Sequence, residues 1–289
     1  MEVNGSRQLS VRASAALNTA TLFSPRSPRY TILRALRGFF QETMATSVIR
    51  YRNGQYDNLF FPGMAVIILA SVFAGFARTY YLAGVFHAPL PNLLVHIHGA
   101  VFSSWILLLV AQTSLIATGR VDVHRRLGLA GFGLACLMVI VGLMAATDGL
   151  ARHFAPGPAG LRVKAFYAVP IADMLVFATL IYFGFRKRFD SAAHKRLVLI
   201  ATITLLDAAF VRWPVPVSWW NLRTAELCGY VLLLVLVAYD LWTTKTIHGA
   251  TLWGGAFLVA LQQIRRPIGN IAAFQSFATW VQIHVRALH

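Results

Sequence analysis

The sequence predicts an all-α integral membrane protein, a helical bundle of about seven transmembrane helices with no sheet. Of its 289 residues, 57% are hydrophobic and 12% are charged. The mean hydropathy of +0.62 is too high for a soluble domain. Apolar runs long enough to cross about 30 Å of hydrocarbon recur along the chain. The chain lacks the segments of about ten alternating residues that a membrane β-barrel requires.

The basic residues of this chain lie mainly in short loops between apolar runs. The formal net charge is +16, which in a soluble protein would suggest a nucleic-acid partner. In short loops, basic residues instead orient a chain in the bilayer. The predicted partner is therefore the lipid bilayer and not nucleic acid. Cys136 and Cys228 lie inside apolar runs, which predicts free thiols rather than a disulfide.

Hydropathy divides the bundle, residues 59–266, into seven predicted spans. They lie at 60–83, 92–118, 124–148, 163–186, 194–213, 222–245 and 249–265. The last span is short and ends at Arg265, Arg266 and Pro267, so six spans is the alternative count.

Loop charges predict the orientation. Basic residues of one side are Arg50, Arg52, Arg120, Arg125, Arg126, Arg186, Lys187, Arg188, Lys195, Arg196 and Lys245. Those of the other side are Arg152, Arg162, Lys164, Arg212 and Arg223. The richer side faces the cytoplasm by the positive-inside rule, which places the amino terminus there.

The two ends of the chain differ from the bundle. Residues 1–58 are basic with almost no acids, and we expect them to be poorly ordered or to lie on the membrane surface. Met44 is the favoured true start of the chain. Residues 267–289 are predicted to form an interfacial amphipathic helix. Its apolar side carries Phe274, Phe277, Trp280 and Val281.

Ionisable residues inside the spans are candidate functional groups, because a charge in hydrocarbon is costly. Counted at 1.5 Å per residue, His98, Asp173, Asp207 and Glu226 fall between the midplane and the outer surface. They are candidate ligands of a divalent metal such as zinc, which needs three protein ligands and an open position in a hydrolase. The alternatives are a hydrogen-bonded structural histidine and an ion pair of Asp173.

Of the neighbouring histidines, His98 is predicted to face the bundle interior. His96 and His98 point about 160° apart on a helix, so the pair is a weak metal signal. His98 shares a heptad stripe with Trp105 and Gln112, whereas His96 lies on a face of small residues suited to helix contact.

A short motif occurs twice, as GRVDVHRRLG around His124 and as RFDSAAHKRLV around His194. In each copy a polar residue is placed to cap a helix, Asp122 in the first and either Asp190 or Ser191 in the second, and the basic residues suit the cytoplasmic face. If the two histidines meet, they would be axial ligands of one haem b. The alternative is a pair of interfacial helix-end histidines near lipid phosphates.

Several stretches resemble an uncharacterised bacterial family of multi-pass membrane proteins. They are FAGFARTYYLAG, VHIHGAVFSSW through HRRLG, AVPIADMLVFA, AHKRLVLIAT and TLWGGAFLVALQQIRR. The resemblance implies a helical membrane fold and brings no activity or ligand. A more distant likeness is to di-haem transmembrane cytochromes b. The chain departs from that pattern because its fourth span has no histidine.

The leading functional hypothesis is a membrane protein that binds haem or a metal and has a redox role. Its basis is the set of histidines near both membrane faces. The alternatives are a membrane-embedded metal-dependent hydrolase and a non-enzymatic transporter or assembly factor. No P-loop, GxSxG, HExxH or CxxCH motif is present, so nothing favours nucleotide binding or covalent haem.

Overall fold

The described part of the chain is helical. The computed structural model describes residues 56–89, 91–152, 163–215 and 221–286, and no strand occurs within these ranges. Residues 57–289 form one compact unit by their contacts. Most of the basic amino-terminal segment, including Met44, lies outside the described residues.

Nine helical elements follow one another in the described part of the chain. They are α1 (Tyr56–Tyr81), α2 (Leu93–Ala117), α3 (Val121–Ala151), α4 (Val163–Arg186), α5 (Ser191–Thr204), α6 (Asp207–Phe210), α7 (Leu222–Thr244), α8 (Gly249–Asn270) and α9 (Ala272–Arg286). The last turn of α1, Ala77–Tyr81, is a wide π-helix. A turn at Tyr167 interrupts α4 near its start.

Five helices, α1, α2, α3, α4 and α7, are long and apolar enough to cross a membrane. The prediction of an all-α, multi-pass membrane protein is thereby confirmed. Of the helices in the seven predicted spans, α5 and α8 fall short, each for its own physical reason. The 14 residues of α5 extend about 21 Å, which is less than the hydrocarbon thickness. The 22-residue α8 is long enough, but its second half is polar.

A break separates α5 from α6. Leu205 and Leu206 form a turn in which the backbone N–H groups bond to Thr202 and Ile203 in place of the regular helical partners. The predicted span 194–213 is therefore two pieces, and the second begins at Asp207. Both leucines are largely buried, so the break lies inside the bundle.

The eighth helix runs further than predicted. It passes through Pro267 and ends at Asn270, instead of stopping at Arg265. Its carboxyl end lies against the start of α4, because a Cβ placed on Gly269 would lie 2.4 Å from the Ala165 carbonyl oxygen. Only a glycine permits this approach, and it seats the polar half of α8 among the other helices.

The two copies of the repeated motif begin their helices differently. Asp190 caps α5, since its carboxylate accepts from the Ala193 N–H at 3.2 Å. Asp122 is not the cap predicted for α3, because the helix begins at Val121 and its N-cap is Arg120. Arg196 is also not a water-facing anchor: it is buried and bonds to Asp240 at 2.5 and 2.9 Å.

The last helix, α9, packs on the ends of α3 and α4. Ala278 is buried against Leu150 and Tyr167, and the Gln282 amide donates to the Leu150 carbonyl at 2.8 Å. Lys164 donates to Thr279 Oγ1 at 2.7 Å. The predicted carboxyl-terminal helix is therefore present, and part of its apolar side contacts protein.

Candidate functional site

At the centre of the bundle the Arg265 guanidinium binds three carboxylates. Arg265 is only 1% exposed. Its NH2 group donates to Asp207 Oδ2 at 2.6 Å and to Glu226 Oε1 at 2.7 Å. Its NH1 group donates to Asp173 Oδ1. The acids come from α4, α6 and α7, so one side chain of α8 joins four elements.

The cluster around Arg265 contains more acids than bases. Arg266 lies with its NH2 group 2.8 Å from Glu226 Oε2, and the Gln262 amide donates to Asp207 Oδ2 at 3.0 Å. Three carboxylates thus face two guanidinium groups. If all are ionised, one negative charge is in excess. Such an imbalance is costly inside a membrane protein.

This arrangement places three of the four predicted metal ligands together, but around an arginine. Asp173, Asp207 and Glu226 direct oxygens at Arg265. His98 lies on α2 and is not part of this cluster. Among the residues that the structure describes, no group of three or more His, Cys, Asp or Glu side chains is arranged to hold a metal ion.

Beside the cluster lies a cavity of about 1030 Å³. It occupies the end of the bundle where α1 and α3 end and where α2, α4 and α7 begin. Its lining is mainly apolar, and includes Val72, Phe102, Ile106, Met174 and Leu206. Asp173, Asp207 and Arg266 also form part of its wall, so the cluster borders the cavity.

Two further groups of the cavity wall, His98 and Arg212, have few protein partners. The His98 ring lies 4.1 Å from the Phe102 ring, centroid to centroid, and its Nδ1 atom is buried without a partner. Arg212 donates to the Ala208 carbonyl at 2.5 Å and lies over the Phe76 ring at 5.0 Å. No ion pair of Arg212 occurs within the described ranges. Arg212 is near enough to His98 to act on it electrostatically.

Unpartnered buried polar atoms concentrate at this place. Six buried side-chain nitrogen or oxygen atoms of the described residues have no hydrogen-bond partner. They belong to His98, Asp207, Gln262, Arg265 and Arg266. Native proteins satisfy nearly all buried polar groups, so these atoms are candidates for bonds to a water molecule or a ligand.

The two motif histidines meet at the opposite end of the bundle. The rings of His124 and His194 lie 6.4 Å apart, centroid to centroid, and are nearly perpendicular. Helices α3 and α5 bring them together, as the haem hypothesis requires. Axial ligation further requires a lone pair on each ring, directed at an iron about 2 Å away.

The hydrogen bonds of these rings are unequal. His194 Nδ1 lies 2.9 Å from the Gly184 carbonyl, which it meets as an N–H donor, so its Nε2 has a lone pair. The Gln112 amide, oriented so that its oxygen accepts from the Gly128 N–H, donates to His124 Nδ1 at 2.7 Å. That bond puts the proton of neutral His124 on Nε2. Of the two rings, only that of His194 therefore has a lone pair on Nε2 available to an iron.

The predicted heptad stripe of α2 follows the inner side of that helix. Trp105 is buried and donates to Thr202 Oγ1 at 3.2 Å, and Gln112 reaches His124. The other face of α2, which carries His96, lies against α1. There the Tyr80 hydroxyl donates to the His96 carbonyl at 3.2 Å.

Sequence reasoning missed Arg265 and Arg266, which look like the basic end of a short span. It placed Arg212 at the outer rim as a possible partner of Asp173, but the observed partner of Asp173 is Arg265. One signal for Arg265 was present. Gly255, Leu258, Gln262 and Arg265 recur at helical spacing, and all four are buried on one face of α8. A buried face that contains an arginine predicts acids on the helices it contacts.

No family model, no curated protein and no solved structure matches this chain.

Proposed function

We propose that the protein is a non-enzymatic carrier of the bacterial inner membrane that binds a small molecule within the bilayer. The observation that supports this best is the cavity beside the Arg265 cluster. Its volume is at the upper end of the roughly 300–1,000 Å³ common for small-molecule sites. The walls combine apolar side chains with a few charged groups, which is the usual composition of such sites.

The helix break at Leu205–Leu206 supports a carrier in particular. Transporters commonly bind their substrates near the middle of the membrane, where a helix is interrupted and its backbone lines a cavity. Here Leu205, Leu206 and Asp207 all border the cavity. The cavity extends from the end of the bundle to this break, and this supports a carrier.

In the proposed topology the chain crosses the membrane seven times, with its amino terminus in the cytoplasm. α5 and α6 together form one interrupted span, and α8 forms the seventh. The polar half of α8 is tolerated because Gln262 and Arg265 are buried against protein rather than lipid. The surrounding partner is the lipid bilayer, and nucleic acid has no role in this function.

Native mass spectrometry of the protein, released from membranes in mild detergent, tests the proposal. We expect a small molecule to remain bound to the wild type. Ala145→Phe should displace it, because Ala145 lies on the cavity wall. Ala100→Phe adds the same ring to an exposed position of α2 and should retain the molecule. Retention in Ala145→Phe, or no bound molecule in the wild type, would contradict the proposal.

A redox protein with one b-type haem is the second candidate, and the proximity of His124 and His194 favours it. Of the chain's residues these two would hold the iron, and Arg125, which is near enough to His124 to interact with it electrostatically, would bind an anionic propionate. Lys195 already pairs with Asp57. Absorbance in the Soret region after haem supplementation, lost in both His124→Ala and His194→Ala, would support it. A colourless wild type would exclude it.

The metal-dependent hydrolase is the least favoured alternative. Its predicted ligands Asp173, Asp207 and Glu226 already bond to Arg265. A metal would have to compete with a guanidinium for each of these carboxylates. Metal analysis of the purified protein tests this alternative, and stoichiometric zinc would revive it.

A further inference from the structure

We infer that the ligand of the cavity is a single-chain amphiphile with an anionic oxygen head group, and that Arg212 binds that head group. This inference rests on the proposed function, because it names the class of molecule that the cavity carries. It is drawn from the charges of the cavity rim and from the apolar interior.

Among the described residues, none supplies a counter-charge to Arg212. Arg212 lies on the cavity wall and forms no ion pair within the described ranges, and its protein contacts are a backbone carbonyl and an aromatic ring. A guanidinium has five N–H donors in a planar fork that matches a carboxylate or a phosphate. One bond to a carbonyl leaves most of these donors available to a ligand.

The rest of the rim is also positive. Arg152 and Arg223 line the same cavity. Arg152 bonds to Asp148 at 2.5 Å, whereas Arg223 is exposed and has no ion pair within the described ranges. Three arginines thus meet one acid at this end. A concave site with a positive rim attracts anions and repels cations.

The acids deeper in the wall do not alter this preference. Asp173 and Asp207 direct oxygens at Arg265, and the whole cluster has at most one negative charge in excess. The arginines of the rim, less Asp148, carry two positive charges, so the positive charge predominates. His98 also lies on the cavity wall, near enough to Arg212 for the two groups to interact electrostatically.

The apolar lining determines the other end of the ligand. Phe102, Ile106, Met174 and Leu206 offer carbon surface and no charge. A small inorganic anion would leave this surface without contact. An acyl chain would cover it, and each CH₂ group that leaves water adds to the binding free energy. A long-chain carboxylate and a lysophospholipid with a phosphate head share the required chemistry.

Binding of radiolabelled oleate to the protein in detergent, followed by scintillation proximity, tests the inference. Competitors are unlabelled oleate, its uncharged methyl ester and oleoyl lysophosphatidic acid. We expect the two acids to compete and the ester to compete at least tenfold more weakly. Competition by lysophosphatidic acid at lower concentration than oleate would assign the natural head group to a phosphate.

Arg212→Gln supplies the matched variant. It should weaken oleate binding about ten- to a hundredfold, which corresponds to the loss of a charge-assisted hydrogen bond. Arg78→Gln removes an exposed arginine from the same end of the bundle, one that packs over the Phe86 ring, and should bind oleate like the wild type. Equal competition by acid and ester, or unchanged binding in Arg212→Gln, would overturn the inference.

The test also separates this inference from the function on which it rests. If Ala145→Phe displaces a co-purified molecule while acid and ester compete equally, the cavity binds a ligand but the anionic class is wrong. If the wild type binds neither oleate nor any co-purified molecule, both the carrier and the ligand class are wrong.

Discussion

Arg265 stabilises the charged interior of this bundle, because it binds three buried carboxylates. Removing one partner of a buried ion pair typically costs about 3–5 kcal/mol, because the other charge stays buried without compensation. Arg265→Met leaves the buried carboxylates of Asp173 and Asp207 without their cation, whereas Glu226 keeps Arg266. We therefore expect a loss of that size, measured as a lower unfolding temperature in detergent. Asp173→Asn removes the excess acid instead and should cost much less.

Comparing Arg265→Met with Asp173→Asn tests whether the charge imbalance of the cluster affects stability. Asp173 is the most exposed of the three acids, at 15% of its side chain. The side-chain amide that Asp173→Asn introduces would keep an oxygen that accepts from Arg265. Equal destabilisation by both substitutions would mean that all three acids are needed in ionised form. The charge imbalance of the cluster would then have no bearing on stability.

The sequence predicted which acids are exceptional, but not what holds them. Asp173, Asp207 and Glu226 stand out because each lies in an apolar run. Their partner could not be identified from the sequence, because an arginine at position 265 fits either a buried ion pair or the basic end of a span. Choosing between these requires knowing that Gly269 lets α8 approach α4, which is a contact between segments about a hundred residues apart.

Close helix contacts also explain why particular glycines occur in α1. A Cβ placed on Gly75 would lie 2.3 Å from the Ala209 carbonyl oxygen, whereas one on Gly63 would meet nothing within 4 Å. Gly75→Ala should therefore separate α1 from α6, at a cost of about 1–3 kcal/mol. Gly63→Ala, in the same helix, should be neutral or stabilising by up to about 1 kcal/mol. Thermal unfolding of both variants checks this, and a destabilised Gly63→Ala would contradict it.

The start of α8 predicts a dependence of stability on pH. His248 Nδ1 accepts from the Ala250 N–H at 3.1 Å, so the cap requires the neutral ring. Burial, and next the charge of Arg196, lower the pKa of His248 below its usual 6.5. The folded state thus binds this proton less readily than the unfolded state. The stabilisation is complete above pH 6.5 and decreases as the pH falls towards the folded-state pKa.

His248→Asn isolates this contribution, because asparagine caps a helix without titrating. The difference in unfolding temperature between wild type and variant should change in favour of the variant as the pH is lowered from about 7.5 to 5.5. A difference that is constant over this range would mean that protonation of His248 does not weaken the cap.

For the molecule as a whole, hydropathy predicted the bundle well, and it failed where a segment is shielded from lipid by protein. α5 is short because it breaks before Asp207, and the second half of α8 is polar because Gln262 and Arg265 face other helices. Sliding-window hydropathy scores both features as if they were exposed to hydrocarbon. The number of spans and the orientation therefore remain predictions, and loop accessibility tests them.

Single-cysteine variants provide that test, in a background with Cys136 and Cys228 replaced by serine. Val85 follows α1 and is 71% exposed, and Phe189 lies between α4 and α5 and is 84% exposed. With a cytoplasmic amino terminus, α1 leads out of the cell and α4 leads back. A membrane-impermeant maleimide added to intact spheroplasts should label Val85→Cys, and it should label Phe189→Cys only after permeabilisation. The reverse pattern would invert the proposed topology, and it would place the positive rim of the cavity in the cytoplasm.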